Sequence, residues 1–355
     1  YELARTYHAH GNSLGAQMYA EKAVKINPNN KWYQYLLASI YKENGEVGKA
    51  IKVYKELIKR FPEDVTYYVE LGIMYTQEGE TKKAIKTYDQ AEEIIGVDER
   101  LSLEKERIYL LEGKKEEAIN EIQKLIDAYP TEPQYYGYLA ESYIEQNQLD
   151  KALETYKKIL EIDPNNGLAH LSLAEFYNAK GQTEKSFTHL QSAFASREVS
   201  AEIKVKMISR FIPYASDNEK VRAQAQTLIN LLMNAHPNDP LVHTVRADFL
   251  SITGDYEEAR KEYRFVLQTE KDKSLIWEQL LLLENELHDY ESMYRESSEA
   301  LEYFPNQATF YLFKGLGALR LENSTEASEI LSQGVDLVQE DNVKIQFYSF
   351  LGEAY

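Results

Sequence analysis

The sequence predicts an all-α solenoid of about ten helix-turn-helix repeats. Three observations carry that expectation. Small residues recur every 34 positions over most of the chain, an aromatic residue follows each at a fixed offset, and prolines close the units. A fixed period of this length is the mark of stacked supersecondary units rather than of an ordinary bundle.

The stretch from Lys31 to Asp64, KWYQYLLASIYKENGEVGKAIKVYKELIKRFPED, shows the unit in full. Leu37, Ala38 and Tyr41 form one apolar stripe at helical spacing, and Ala50, Tyr54 and Leu57 form a second. Asn44-Gly45 supplies the turn between the helices, and Pro62 ends the second one. A hairpin this short cannot bury both stripes, so it needs copies of itself on either side.

The copies are in register. The small position of the first helix recurs at Ala4, Ala38, Gly72, Glu106, Ala140 and Ala174, then at Ala247, Leu281 and Gly315, with Gly352 after a longer gap. Three residues on come Tyr7, Tyr41, Tyr75, Tyr109, Tyr143 and Tyr177. Twelve residues on come Ala16, Ala50, Ala84, Ala118, Ala152, Ser186, Ala259 and Ala327. Pro28, Pro62, Pro130, Pro164, Pro237 and Pro305 close units. This pattern resembles the tetratricopeptide repeat (TPR) family over essentially the whole chain. The resemblance implies a right-handed α-α superhelix.

Taken in order, repeat one is short and runs over 1–30. Repeats two and three, 31–64 and 65–98, keep the pattern best, with Gly96 where repeat three would have its proline. Repeat four, 99–132, carries Glu106 at the small position, which predicts a wider helix crossing or a carboxylate turned to solvent. Repeats five and six, 133–166 and 167–199, are regular. The spacing then stretches by about five residues. SAEIKVKMISRFI runs into Pro213, a loop at Tyr214–Asn218 follows, and a long helix is expected around Lys220–Ala235. Three segments result: an N-terminal array over 1–199, an irregular repeat or bend over 200–239, and a C-terminal array over 240–355. The last comprises 240–273, 274–307, 308–344 and a half-repeat, truncated at its end. The chain opens and closes in mid-helix, so it is expected to be the ordered part of a longer protein, with the array running past Tyr355.

Acidic residues outnumber basic ones 58 to 40, a net charge of −18. That balance argues against nucleic acid, whose phosphates want a basic stripe, and against anionic membrane surfaces. The last third, 251–355, holds 21 Asp/Glu and 9 Lys/Arg and would attract a basic partner if any. Cysteine is absent, which excludes disulfides and thiolate metal sites. Its absence fits a reducing cytoplasm and equally a cell envelope or periplasm where free thiols are avoided. No apolar run is long enough for a transmembrane helix. The wealth of Lys, Glu, Asn, Ile and Tyr gives the composition a bacterial look.

No constellation for catalysis stands out, and enzyme activity within this chain is not expected. His8 and His10 are two apart and point to different sides of a helix, and His236 and His243 straddle a turn containing Pro237 and Pro240. No metal-ligand spacing occurs, and GEVGK at 45–49 is a helix turn rather than a phosphate loop. Neither metal nor cofactor is predicted. Most of the 28 tyrosines, such as Tyr54, Tyr88, Tyr156 and Tyr263, read as amphipathic core fillers.

What remains is a binding surface. In TPR proteins the first helices line a concave groove, and the resemblance places Trp32, Tyr35, Ser39, Val69, Ile73 and Gln77 there in repeats two and three. Repeat four contributes Arg100, Leu103, Arg107 and Leu110. Repeats five and six contribute Gln134, Glu141, Ile144, Glu145, Leu171, Glu175 and Asn178, and the C-terminal array Asp248, Glu278, Leu282 and Glu286. This groove would begin aromatic and apolar, become basic at Arg100 and Arg107, and turn acidic at Glu141, Glu145 and Glu175. Exposed Trp32 and Tyr35 beside Val69 and Ile73 would anchor a peptide or helix. Tyr35 and Ser39 stand where chaperone-binding TPRs place Lys and Asn, which argues against a chaperone-tail clamp. The expected function is a non-catalytic scaffold that grips a protein segment. Its alternatives are the docking arm of an enzyme whose catalytic domain lies elsewhere, and a structural subunit of a bacterial cell-envelope assembly.

Overall fold

A computed structural model describes residues 1–355. It contains 21 α-helices and one 3-10 turn, with no strand. The chain divides into two compact units, Tyr1–Pro164 and Asn165–Tyr355.

The first unit holds five hairpins. These are α1 (Glu2–Ala9) with α2 (Ser13–Ile26), α3 (Lys31–Glu43) with α4 (Val47–Arg60), and α5 (Val65–Gln77) with α6 (Thr81–Ile95). Then come α7 (Glu99–Leu111) with α8 (Lys115–Ala128), and α9 (Pro133–Glu145) with α10 (Leu149–Ile162). Each helix packs on the next along the chain.

One turn is reused throughout. Gly11, Gly45, Gly79 and Gly113 sit 34 residues apart with φ between 70° and 75°. The Gly45 N–H donates to the Lys42 carbonyl (3.1 Å) and the Glu46 N–H to the Tyr41 carbonyl (2.8 Å). That pair of bonds satisfies the last carbonyls of α3 and stops it. Asn147 takes the same left-handed conformation (φ 57°) in repeat five. At the other end of four of the five units, proline follows the helix C-cap, as Pro62 follows Phe61, where no further helical turn can form; Gly96 takes that place in repeat three.

Size matching between paired helices explains the small position. A Cβ at Gly72 would lie 2.1 Å from a ring carbon of Tyr88, so only glycine fits. Ala38 and Ala140 stand in the same relation to Tyr54 and Tyr156, sixteen residues on, and all four are buried. The stripes read from sequence, Leu37, Ala38 and Tyr41 with Ala50, Tyr54 and Leu57, are buried as one cluster.

The second unit begins with α11 (Gly167–Ala179) and α12 (Thr183–Ala195). Next come α13 (Ala201–Ile208), a 3-10 turn at Ile212–Tyr214, and α14 (Glu219–Ala235). Regular hairpins follow: α15 (Pro240–Thr253) with α16 (Tyr256–Leu267), and α17 (Ser274–Glu286) with α18 (Tyr290–Tyr303). The last are α19 (Ala308–Arg320) with α20 (Ser324–Val335), and then α21 (Asp341–Ala354). A continuous apolar core runs from Phe194 to Phe310. In the irregular repeat, Lys204 of α13 is fully buried and caps α12. Its ammonium donates to the carbonyls of Phe194 (3.0 Å) and Ser196 and meets Nε2 of His236 at 3.0 Å. Burial pushes that ammonium down to about 8.

Candidate partner-binding site

A polar pocket that gathers several of the predicted groove positions lies in the first unit, between α7 and α9. It is lined by Leu103, Glu104, Glu106, Arg107 and Leu110 of α7 and by Tyr138, Glu141, Ser142 and Glu145 of α9, with a volume near 380 Å³. Positions spaced by three and four residues bring these side chains to one face of each helix. Glu106 decides its character. Elsewhere the small position lets the helix pair close, but here a glutamate stands at that position, sixteen residues before buried Ile122. The Glu106 carboxylate is half-buried and opens onto a pocket.

Four carboxylates converge on this space against a single guanidinium. Arg107 is already paired with Glu104 at 2.8 Å, so Glu106, Glu141 and Glu145 find no counter-charge among the lining residues. Burial, and then the field of Glu145, raises the Glu106 carboxyl above the ordinary glutamate range. A site that must hold like charges close together gains from any cation that enters. Arg100, expected to add positive charge here, bonds instead with Asp98 at the start of α7 (3.1 Å).

The other predicted residues have separate fates. Trp32 is exposed on α3, with the Lys31 ammonium 5.0 Å from its ring centre. Tyr35 is half-buried and packs against Tyr54 and Tyr67, with ring centres 6.2 and 6.0 Å away, so it serves the core as much as the surface. Val69 and Ile73 are half-buried, and Val69 rests on the apolar core of the first unit. Glu175 is exposed on α11 in the second unit. Asp248 accepts a hydrogen bond from the Tyr263 hydroxyl at 2.6 Å, and burial raises its carboxyl. Glu104, Glu106, Tyr138 and Ser142 lie outside the predicted groove set. The one sequence signal for them is the glutamate at the small position of repeat four.

No group of three or more His, Asp or Glu is placed to hold a metal ion, and no helix is long and apolar enough to cross a membrane.

The repeat geometry agrees with comparisons to known families. Tetratricopeptide repeat models match residues 1–30, 35–96, 133–166 and 155–187. The chain belongs to the tetratricopeptide repeat family, and its fold class is the all-α superhelix of that family. As members of an interaction family, such arrays serve as protein-binding scaffolds. Among solved structures, MamA is similar at 23% identity, covering 44% of this chain and 92% of its own, with a TM-score of 0.35. A thermophilic TPR protein of Thermus thermophilus, TTC0263, is 25% identical over 48% of this chain and 93% of its own, with a TM-score of 0.32. Yeast Tom70 aligns over 99% of this chain and 94% of its own at 13% identity and a TM-score of 0.36. With such TM-scores none of the three bears on this chain's role. No curated protein matches the sequence.

Proposed function

We propose that the protein is a non-catalytic scaffold whose α7–α9 groove holds a basic segment of a partner protein. The observation that carries this reading is the set of three uncompensated carboxylates, Glu106, Glu141 and Glu145, in one pocket. A lysine or arginine side chain entering it would relieve their mutual repulsion and form charge-assisted hydrogen bonds. Leu103, Leu110 and Tyr138 supply the apolar walls against which such a side chain lays its methylene stem. Electrostatic complementarity of this kind speeds encounter and sets orientation, while the walls add affinity.

The test is fluorescence anisotropy of a labelled peptide rich in lysine and arginine. Glu141→Lys with Glu145→Lys, both exposed positions, should weaken binding at least about tenfold while circular dichroism stays unchanged. Binding should also weaken as acid neutralises Glu106, whose carboxyl is raised. Undiminished binding by the double variant would place the basic ligand elsewhere.

A further inference from the structure

The irregular repeat leaves open a space that a regular first helix would fill. Such helices have thirteen residues, as α11 and α17 do, whereas α13 has eight. Pro213 has no N–H to donate, so the chain leaves the α-helix after Ile208 and passes through the short 3-10 turn. The gap is an apolar pocket walled by Phe187, Leu190, Ile208, Phe211, Val221 and Leu228, with a volume near 170 Å³. Asn178, Thr183 and Gln224 bring amide and hydroxyl groups to the same lining.

Size and charge together define what fits. Drug-sized ligands occupy pockets of about 300–1,000 Å³. An apolar cavity of about 150 Å³ takes a single benzene ring. This pocket is therefore built for one aromatic side chain. Phe211, which lines it, is 49% exposed, so part of the apolar wall is open to solvent and reachable by a ligand. The local charge is opposite to that of the whole chain. Leaving out the buried Lys204, residues 180–222 hold seven Lys/Arg and five Asp/Glu, a balance of +2 within a chain of −18. Lys185, Arg210 and Lys220 directly adjoin lining residues in the chain, and the acidic neighbour Glu184 is offset by Lys220 at 3.7 Å.

We infer that this pocket takes one phenylalanine side chain of an acidic segment of a partner protein, with the surrounding lysines and arginine meeting the flanking carboxylates. The surface is distinct in ligand and location from the acidic α7–α9 groove, which repels such a segment.

A photo-crosslinking experiment on the full chain tests this. The probe is a synthetic peptide with one p-azidophenylalanine, a single photoreactive ring, between runs of glutamate, used up to about 1 mM, the range of a single-residue anchor. Crosslinks are expected within residues 178–228. The same peptide with lysine in place of glutamate should crosslink there at least tenfold less. Phe211→Ser, at an exposed position, and Ala225→Leu, which fills the pocket, should each cut the yield several-fold with unchanged helix content. Crosslinks concentrated elsewhere, equal labelling by the lysine peptide, or full labelling of a folded Phe211→Ser variant would each overturn the inference.

Discussion

Both compact units bury an ionic cluster where the repeat wants an apolar side chain, but the two clusters have opposite polarity. In the first unit Lys105 occupies the position held by Leu37, Leu71 and Leu139, and it is 2% exposed. Asp89 (2.7 Å) and Glu92 (2.9 Å) from α6 and Glu121 (3.2 Å) from α8 surround its ammonium. Burial opposes that charge, yet the hydrogen bonds to Asp89 and Glu92 and the field of Glu121 outweigh it and raise the ammonium above the usual lysine range. In the second unit Glu284 occupies a tyrosine position and is fully buried. Arg264 (2.8 Å) and Arg260 (3.2 Å) from α16 face it, while Glu296 of α18 shares Arg264. Burial, and then the nearby Glu296, pushes the Glu284 carboxyl up to about 7.

The difference teaches how a repeat core tolerates charge. A cation ringed by three carboxylates stays charged at every ordinary pH. A carboxylate that shares its arginines with a second carboxylate is left partly uncompensated and responds to acid. In each case the counter-charges come from flanking helices, so the irregular position ties a repeat to its own neighbours.

The largest effect should come from removing the lysine. Lys105→Met leaves Glu92 and Glu121 only the half-exposed Lys124 ammonium, 3.7 and 2.9 Å away, and should cost about 3 kcal/mol, read by urea denaturation. A loss under about 1 kcal/mol would show that the cluster is solvated in solution.

Glu284 should give a smaller, pH-dependent effect. Its folded pKa of about 7 lies above the 4.5 of the free side chain, so its stabilising contribution is full below the latter and is lost as pH rises through the former. Stability of the wild type should therefore fall between about pH 5 and about pH 8 by no more than about 3 kcal/mol. Glu284→Gln should flatten that slope, and an unaltered slope would assign it to other groups.

The smallest effect belongs to the turns. The first unit uses only glycine or asparagine in the left-handed position, whereas in the second Gly181 and Gly254 share that role with His288 (φ 57°) and Glu322 (φ 62°). A side chain there costs about 1–2 kcal/mol, and glycine's extra freedom when unfolded offsets about 0.5–1 kcal/mol of any gain. Glu322→Gly should therefore raise stability by about 0.5 kcal/mol, seen as a small increase in Tm. A decrease would mean that the glutamate side chain makes a compensating contact.

Much of this was legible in the chain because a repeat states each rule several times. The recurrence of Tyr41, Ala50 and Pro62 at fixed offsets locates helices, turns and buried stripes, since helical period and proline chemistry act locally. Exceptions are visible as exceptions: Glu106, Glu284 and Pro213 all break the pattern. Their consequences are not. Asp98 and Glu104, two and three residues before Arg100 and Arg107, are local partners that take up both guanidiniums, a pairing the groove register alone does not show; that Tyr35 turns toward Tyr54 and Tyr67 is not legible at all. Lys105 carries no signal of its own in the chain, because the three carboxylates that hold it come from two other helices.

The sequence by itself determined the family, the hairpin period, the turn geometry and the core stripes, all of which follow from spacing along one helix or across one turn. Only the tertiary structure decided which charges are paired and which are left open. In the buried clusters, pairing depends on side chains brought within about 4 Å from flanking helices, and at that range a single intervening partner converts an available charge into a spent one.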